Sequence, residues 1–136
     1  MPIERKLAAI MFTDIAGYTA LSAKDSTKAS ELLKTQRNTL KPIVEKHGGS
    51  WMKEMGDGLL ITFDSATSAV ECSIDIQVAT KDIEDLNLRI GIHEGEVIKQ
   101  DGDVIEDDVN VASRIEPFSA VGGVAISDKI QQAISH

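Results

Sequence analysis

The order of strand-like and helix-like segments limits the possible folds of this chain more than any other feature of its sequence. Residues 5–13, RKLAAIMFT, read as a buried strand. Residues 50–55 and 59–63 read as two strands joined by Gly56-Asp57-Gly58, a turn sequence typical of a β-hairpin. A long alternating strand is predicted over residues 86–99. The chain therefore carries at least four strands, and two of them form a hairpin.

Two predicted helices separate these strands. The first is capped by Asp25 or Ser26 and ends at Gly48-Gly49, and the second covers residues 65–80. The resulting order, β-α-β-β-α-β, predicts an α+β fold with a ferredoxin-like sheet and helices packed on one face. A helix over residues 107–118, a strand in GGVAIS and a last helix from Asp128 would form a C-terminal helix-strand-helix appendage. With 136 residues the chain fits a single domain, 1–136.

Composition and charge disfavour several classes of function. The net charge of −8, without a long cluster of Lys and Arg, argues against a surface that binds nucleic acid or an anionic membrane. The only cysteine, Cys72, has no partner for an internal disulfide, which favours a reducing compartment. The apolar run near the N-terminus is too short for a signal peptide or a membrane span. A cytoplasmic location without membrane insertion is expected.

Asp14 follows an apolar strand, and a turn or a helix cap is the ordinary reason for an aspartate there. In the predicted topology, however, the first strand lies antiparallel to the second hairpin strand, which brings Asp14 close to Asp57. Two converging carboxylates suit a hard cation such as Mg²⁺, which leaves positions for water and substrate phosphates. On these residues alone, both interpretations of Asp14 stay open.

Four segments together resemble the catalytic domain of the class III nucleotidyl cyclases, which are the adenylate and guanylate cyclases. They are FTDIAGYT, KEMGDGLLITF, LRIGIHEGEV and DDVNVASRIE, and the resemblance extends from about residue 6 to 135. It implies an adenylate cyclase that converts ATP to 3′,5′-cyclic AMP and pyrophosphate. A guanylate cyclase, or a weak or inactive cyclase-like nucleotide-binding domain, is the alternative. A diguanylate cyclase is disfavoured, because the turn reads Met-Gly-Asp-Gly-Leu rather than Gly-Gly-acid-acid-Phe.

The resemblance also implies a metal centre. It makes Asp14 and Asp57 the metal-binding pair, with the backbone carbonyl of Ile15 as a further ligand. Two Mg²⁺ or Mn²⁺ ions per active site are expected as cofactors, one acting on the 3′-hydroxyl of ATP and one holding the triphosphate.

Four further residues are expected to contact the nucleotide. By the resemblance, Lys53 and Asp103 bind the base, and Asn110 and Arg114 are the catalytic pair that orients the ribose and stabilises charge on the reacting phosphate. A donating lysine and an accepting aspartate complement adenine, so ATP is preferred over GTP. In this family the Asp pair comes from one subunit, and the Lys, Asn and Arg set from the other. The expected partners are therefore a second copy in a homodimer and a fused regulatory domain.

Two features depart from the family's pattern. Glu106, Asp107 and Asp108 stand ahead of Asn110, where small residues are expected, and we hypothesise that they lower affinity for the triphosphate or raise the metal requirement. The family domain also normally continues into further strands beyond the final helix. The chain is therefore expected to be truncated at its C-terminal end.

Overall fold

A mixed six-stranded sheet is the centre of the computed structural model, which describes residues 4–100, 103–104 and 119–134. The described elements are β1 (Glu4–Ile15), α1 (Tyr18–Lys24), α2 (Ser26–Lys46), β2 (Ser50–Met55), β3 (Gly58–Phe63), α3 (Ala66–Thr80), β4 (Leu88–Gln100), β5 (Asp103–Val104), β6 (Val124–Ile126) and α4 (Asp128–Ile134). The strand order is β2-β3-β1-β4-β5, and β6 pairs with β4. The pair β4–β6 is parallel and the others are antiparallel. This confirms the predicted α+β class and the ferredoxin-like order of the first four long strands.

The two faces of the sheet carry separate apolar clusters, because side chains alternate along each strand. Ala9, Met11 and Ile15 of β1 belong to the main core, together with buried residues of α2 and α3. Ala8 and Ile10 instead form a smaller cluster with Leu60 of β3, against which Phe12 and Met52 pack. We call the first side the helix face and the other the second face. By alternation Asp14, two residues after Phe12, lies on the second face.

Local sequence explains where the two long helices begin. The side chain of Asp25 accepts a hydrogen bond from Lys28 N at 3.0 Å and caps α2. Ser65 Oγ accepts one from Ser68 N at 3.2 Å and caps α3. The short helix α1 was not predicted, because none of its seven side chains is fully buried and no apolar stripe marks it. The predicted helix over residues 107–118 lies outside the described residues.

Within the described ranges, every helix is too short or too polar to cross a membrane.

Gly49, between α2 and β2, is a position where a methyl group would not fit. A Cβ there would lie 2.6 Å from Phe63 Cε2 and 2.8 Å from Val44 Cγ1, and both side chains belong to the main core. We expect Gly49→Ala to lower the free energy of unfolding by about 1–3 kcal/mol, the usual cost of overpacking. Urea unfolding followed by circular dichroism measures this. Ser50→Ala, at an exposed neighbouring residue, is the control, and equal stability of the two variants would contradict the prediction.

Candidate active site

Asp14 is the penultimate residue of β1, and its carboxylate is only partly satisfied. Its Oδ1 atom is buried and has no hydrogen-bond partner among the described residues. Next to it, Ala16 N donates to Asn87 O at 2.8 Å, and Gly17, at φ +77°, turns the chain from β1 into α1. The end of β1 is thus held firmly by backbone contacts. A buried carboxylate oxygen without a donor is costly unless a cation or another donor reaches it.

Asp57 lies in the hairpin turn beside this strand end. Gly56 takes a positive φ of 62°, as the turn sequence predicts, and Asp57 Oδ2 accepts a hydrogen bond from Ile15 N at 2.9 Å. A Cβ on Gly58 would lie 3.0 Å from Phe12 Cζ, so glycine lets the hairpin approach β1 closely. The structure therefore brings Asp14, Ile15 and Asp57 together, as the topology predicts, while their role as metal ligands stays a prediction.

A cleft of about 550 Å³ opens at this point, and Asp14, Ile15 and Asp57 all line it. The loop and first turn after β1, residues 16–20, form another part of its wall. Sites for small molecules usually measure about 300–1,000 Å³. The cleft is therefore large enough for a nucleotide's phosphates and at least part of the nucleoside.

Arg89 is a residue of the cleft that sequence reasoning missed. It lies on β4 directly opposite Asp14 in the β1–β4 register, so both side chains leave the same face of the sheet. The signal was present in the sequence, since Leu88, Ile90 and Ile92 alternate on the helix face and leave Arg89 on the other. A guanidinium that lines the same cleft as two carboxylates gives the cleft donors for phosphate oxygens as well as acceptors for cations.

The donor set fits a hard divalent cation. Two carboxylates line the cleft, and one of their oxygens, Asp14 Oδ1, is buried with no donor in the described ranges. In the described part of the chain no group of three or more His, Cys, Asp or Glu side chains is suited to a metal. Mg²⁺ typically takes only one or two carboxylates and completes its shell with water and substrate phosphates. The cleft therefore fits a cation that arrives with a polyphosphate.

Lys53 and Asp103 are placed at opposite edges of the sheet. Lys53 is an exposed residue of edge strand β2, and it pairs with Leu60, whose side chain lies on the second face. Asp103 begins β5, beyond β3, β1 and β4, so about 19 Å of sheet separates the two strands. The structure does not bring these two predicted base contacts together within one chain. Asn110, Arg114 and the acidic run Glu106, Asp107 and Asp108 lie outside the described residues.

Comparisons with known proteins give matches over nearly the whole chain. The family model for the adenylate and guanylate cyclase catalytic domain matches residues 4–136. A protein of Rhizobium meliloti (strain 1021) named putative adenylate cyclase 3 is 39% identical over 97% of this chain. This chain spans only 24% of that relative's length.

Solved structures of two further proteins share the fold. The adenylate/guanylate cyclase/hydrolase from Silicibacter pomeroyi is 36% identical, with a TM-score of 0.88 over 98% of this chain and 83% of that one. The guanylate cyclase domain of RhGC from Catenaria anguillulae, in complex with GTP, is 28% identical, with a TM-score of 0.87 over 96% of this chain and 84% of that one. Adenylate and guanylate cyclases are thus both among the similar proteins.

Proposed function

The chain belongs to the family of adenylate and guanylate cyclase catalytic domains, and from this membership we propose that it is an adenylate cyclase. It would convert ATP into 3′,5′-cyclic AMP and pyrophosphate. The observation that carries the proposal is the convergence of Asp14 and Asp57 with Arg89 in one cleft of nucleotide size.

Asp14 and Asp57, with the carbonyl of Ile15, would hold two Mg²⁺ or Mn²⁺ ions. When bound, these ions would make the ribose 3′-hydroxyl more acidic and neutralise charge on the triphosphate. The hydrogen bond from Ile15 N to Asp57 Oδ2 fixes the Asp57 carboxylate against the strand that carries Asp14, so Asp57 is oriented before substrate arrives. This preorganisation is what phosphoryl transfer requires of a protein, because positioning and charge stabilisation account for most of the catalysis.

The reaction itself needs no protein nucleophile. The 3′-oxygen forms a bond to the α-phosphorus, the hydroxyl gives its proton to water, and the bond from that phosphorus to the α,β-bridging oxygen breaks to release pyrophosphate. Arg89 would bind oxygens of the triphosphate from the cleft wall. Asn110 and Arg114 would orient the ribose and stabilise charge on the α-phosphate.

Two considerations support ATP as the substrate. Lys53 donates hydrogen bonds only, which suits the N1 acceptor of adenine and not the N1–H of guanine. The Rhizobium relative named putative adenylate cyclase 3 is 39% identical to this chain over the matched region. A wrong base would leave a buried polar group unpaired, which discriminates strongly between substrates. Asp103 is proposed as the acceptor for the adenine amine.

The active unit would be a homodimer that forms two sites across its interface. Within one chain, Lys53 and Asp103 belong to opposite sheet edges, which favours a site assembled from more than one chain. The Rhizobium relative is about four times longer than the matched region, which supports a fused regulatory domain in signal transduction. The proposed location is the cytoplasm.

The proposal is tested by incubating the protein with ATP or GTP in the presence of Mg²⁺ or Mn²⁺ and separating the products. We expect cyclic AMP and pyrophosphate in equal amounts, and much slower formation of cyclic GMP. Preferential formation of cyclic GMP would make the chain a guanylate cyclase. Tight nucleotide binding without turnover would make it a nucleotide-binding domain.

Replacing Arg89 tests the cationic wall of the cleft. Arg89→Met removes the guanidinium but keeps a long apolar side chain, and we expect kcat/KM for ATP to fall about tenfold to a hundredfold, because a charge-assisted contact to phosphate is lost. The kcat/KM of Arg89→Lys should lie between those of the wild type and Arg89→Met, since an ammonium keeps the charge but cannot form a bidentate contact. Initial rates at varied ATP concentration measure the effect. Unchanged kcat/KM in Arg89→Met would remove this residue from the site.

A further inference from the structure

Edge strand β2 contains a one-residue irregularity that decides where Lys53 points. Trp51 pairs with Ile61 of β3, but the next paired residue is Lys53, opposite Leu60, so Met52 is the extra residue of a bulge. Ile61 packs in the main core on the helix face, whereas Leu60 belongs to the cluster on the second face. Residues directly opposite each other in an antiparallel pair leave the same face. The bulged register therefore places Lys53 on the second face, the face of Asp14.

A regular strand would place Lys53 differently. Side chains two residues apart share a face, so an unbulged β2 would put Lys53 on the helix face together with Trp51. Trp51 packs against the main core, which confirms its side. Beyond the bulge, Glu54 pairs with Leu59, a residue of the main core, and so returns to the helix face. Trp51 and Glu54, on either side of the bulge, thus both lie on the helix face, while Lys53 lies on the second face.

A side-chain cluster joins the two ends of this bulge to helix α2. The Glu54 carboxylate accepts hydrogen bonds from Arg37 Nε at 2.9 Å and from Arg37 Nη2 at 2.8 Å, one on each oxygen. Trp51 Nε1 donates to the same carboxylate at 3.3 Å, and Lys41 Nζ lies 5.5 Å from the centroid of the Trp51 ring. We call Arg37, Lys41, Trp51 and Glu54 the Glu54 cluster.

The Glu54 cluster orients β2 more than it stabilises the fold. Hydrogen bonds from Arg37 hold the pKa of Glu54 below its ordinary value, so the carboxylate is charged at neutral pH. Half-exposed ion pairs contribute little to global stability, because solvent screens them. A bidentate arginine–carboxylate pair nevertheless fixes relative orientation, and here it fixes an edge strand that pairs with a single neighbour, β3, among the described strands.

We propose that Arg37 and Glu54 are positioning residues for nucleotide recognition, which keep β2 in its bulged register and thereby keep Lys53 on the second face. As positioning residues they are not expected to contact the nucleotide, because Glu54 lies on the helix face, opposite to Lys53, and Arg37 binds it there. The inference rests on the proposed function, because only there is Lys53 a contact to the base.

Arg37→Met tests the proposal in the intact protein. We expect KM for ATP to rise about five- to tenfold and the preference for ATP over GTP to fall, while kcat stays within about twofold. Glu54→Gln should likewise raise KM for ATP and lower the preference for ATP over GTP. The matched control is Lys28→Met, which removes another ion pair of α2, that of Lys28 with Asp85 at 3.0 Å, and should leave both quantities unchanged. A fall in kcat alone, or equal effects in Arg37→Met and Lys28→Met, would overturn the proposal.

A double-mutant cycle shows whether Arg37 acts through Lys53. In a Lys53→Met background, Arg37→Met should raise KM by less than about twofold further, because the contact that it positions is already gone. If KM in the double variant instead rises by the product of the two single increases, Arg37 acts independently of Lys53, and the proposal is overturned.

Trp51, the only tryptophan of the chain, gives a readout that does not depend on turnover. Arg37→Met should shift its fluorescence emission to longer wavelength, and NMR should show loss of the cross-strand contact between Lys53 and Leu60, whereas Lys28→Met should change neither. If the wild-type protein makes no cyclic nucleotide, the proposed function fails while these two measurements still test the register. An unchanged emission and an unchanged Lys53–Leu60 contact in Arg37→Met would overturn the inference whether or not the protein is a cyclase.

Discussion

Asp14→Asn and Asp57→Asn chains are each expected to lose about a hundredfold or more of the rate of cyclic AMP formation, with no comparable loss of stability. Each substitution keeps the size of the side chain and removes the negative charge that would hold the cations. In Asp57→Asn the new amide oxygen can still accept the hydrogen bond from Ile15 N, so the hairpin should stay in place. Rate assays with Mg²⁺ and Mn²⁺, together with thermal unfolding, measure the two effects separately.

Asp14 gives the sharper form of this prediction. Because no described residue donates a hydrogen bond to its buried Oδ1, removing the charge should leave the free energy of unfolding unchanged or slightly raised in the absence of metal. Stabilisation of the wild-type protein by added Mn²⁺ should disappear in Asp14→Asn, since a ligand that binds only the folded state raises its stability. Asp82→Asn, an exposed carboxylate away from the cleft, is the control for charge alone. Full activity in Asp14→Asn and Asp57→Asn would remove the metal assignment.

The convergence of Asp14 and Asp57 follows from information that is local in the sequence. The Gly-Asp-Gly turn specifies the hairpin through the positive φ that Gly56 adopts, and the order of elements makes β3 a neighbour of β1. Antiparallel pairing then brings the end of β1 to the start of β3. No long-range packing detail is needed, which is why this part of the site can be predicted from the order of elements.

The face on which Lys53 lies could not be predicted in this way. Simple alternation from Trp51 predicts the helix face for Lys53, whereas the bulge places Lys53 on the second face. The contact proposed to hold this bulge comes from Arg37, fourteen residues before Trp51 and on another element. The separation of Lys53 from Asp103 could not be predicted either, because Asp103 lies on β5, a strand of two residues that has no strand pattern in the sequence. The face of Arg89, in contrast, can be predicted, since alternation along β4 places Arg89 on the face of the sheet away from the main core.

Co-expression of Asp57→Ala and Arg114→Ala chains is expected to restore activity that neither variant has alone. In a two-fold dimer with shared sites, each homodimeric variant has two defective sites. A mixed dimer has one site with both defects and one with none, because the intact Arg114 and the intact Asp57 meet in the second site. Mixed dimers purified through two different tags should therefore show about half of the wild-type specific activity.

The same mixed dimers separate a shared site from a site within one chain. If each chain supplied both Asp57 and Arg114 to its own site, every site in the mixed dimer would carry one defect, and no activity would return. Restored activity should also fall on dilution, because a shared site exists only while the chains are associated. Two Asp57→Ala chains that carry the same pair of tags should remain inactive at every concentration. Restoration would show that Asp57 and Arg114 of different chains share a site, in line with the separation of Lys53 and Asp103 at opposite edges of one sheet.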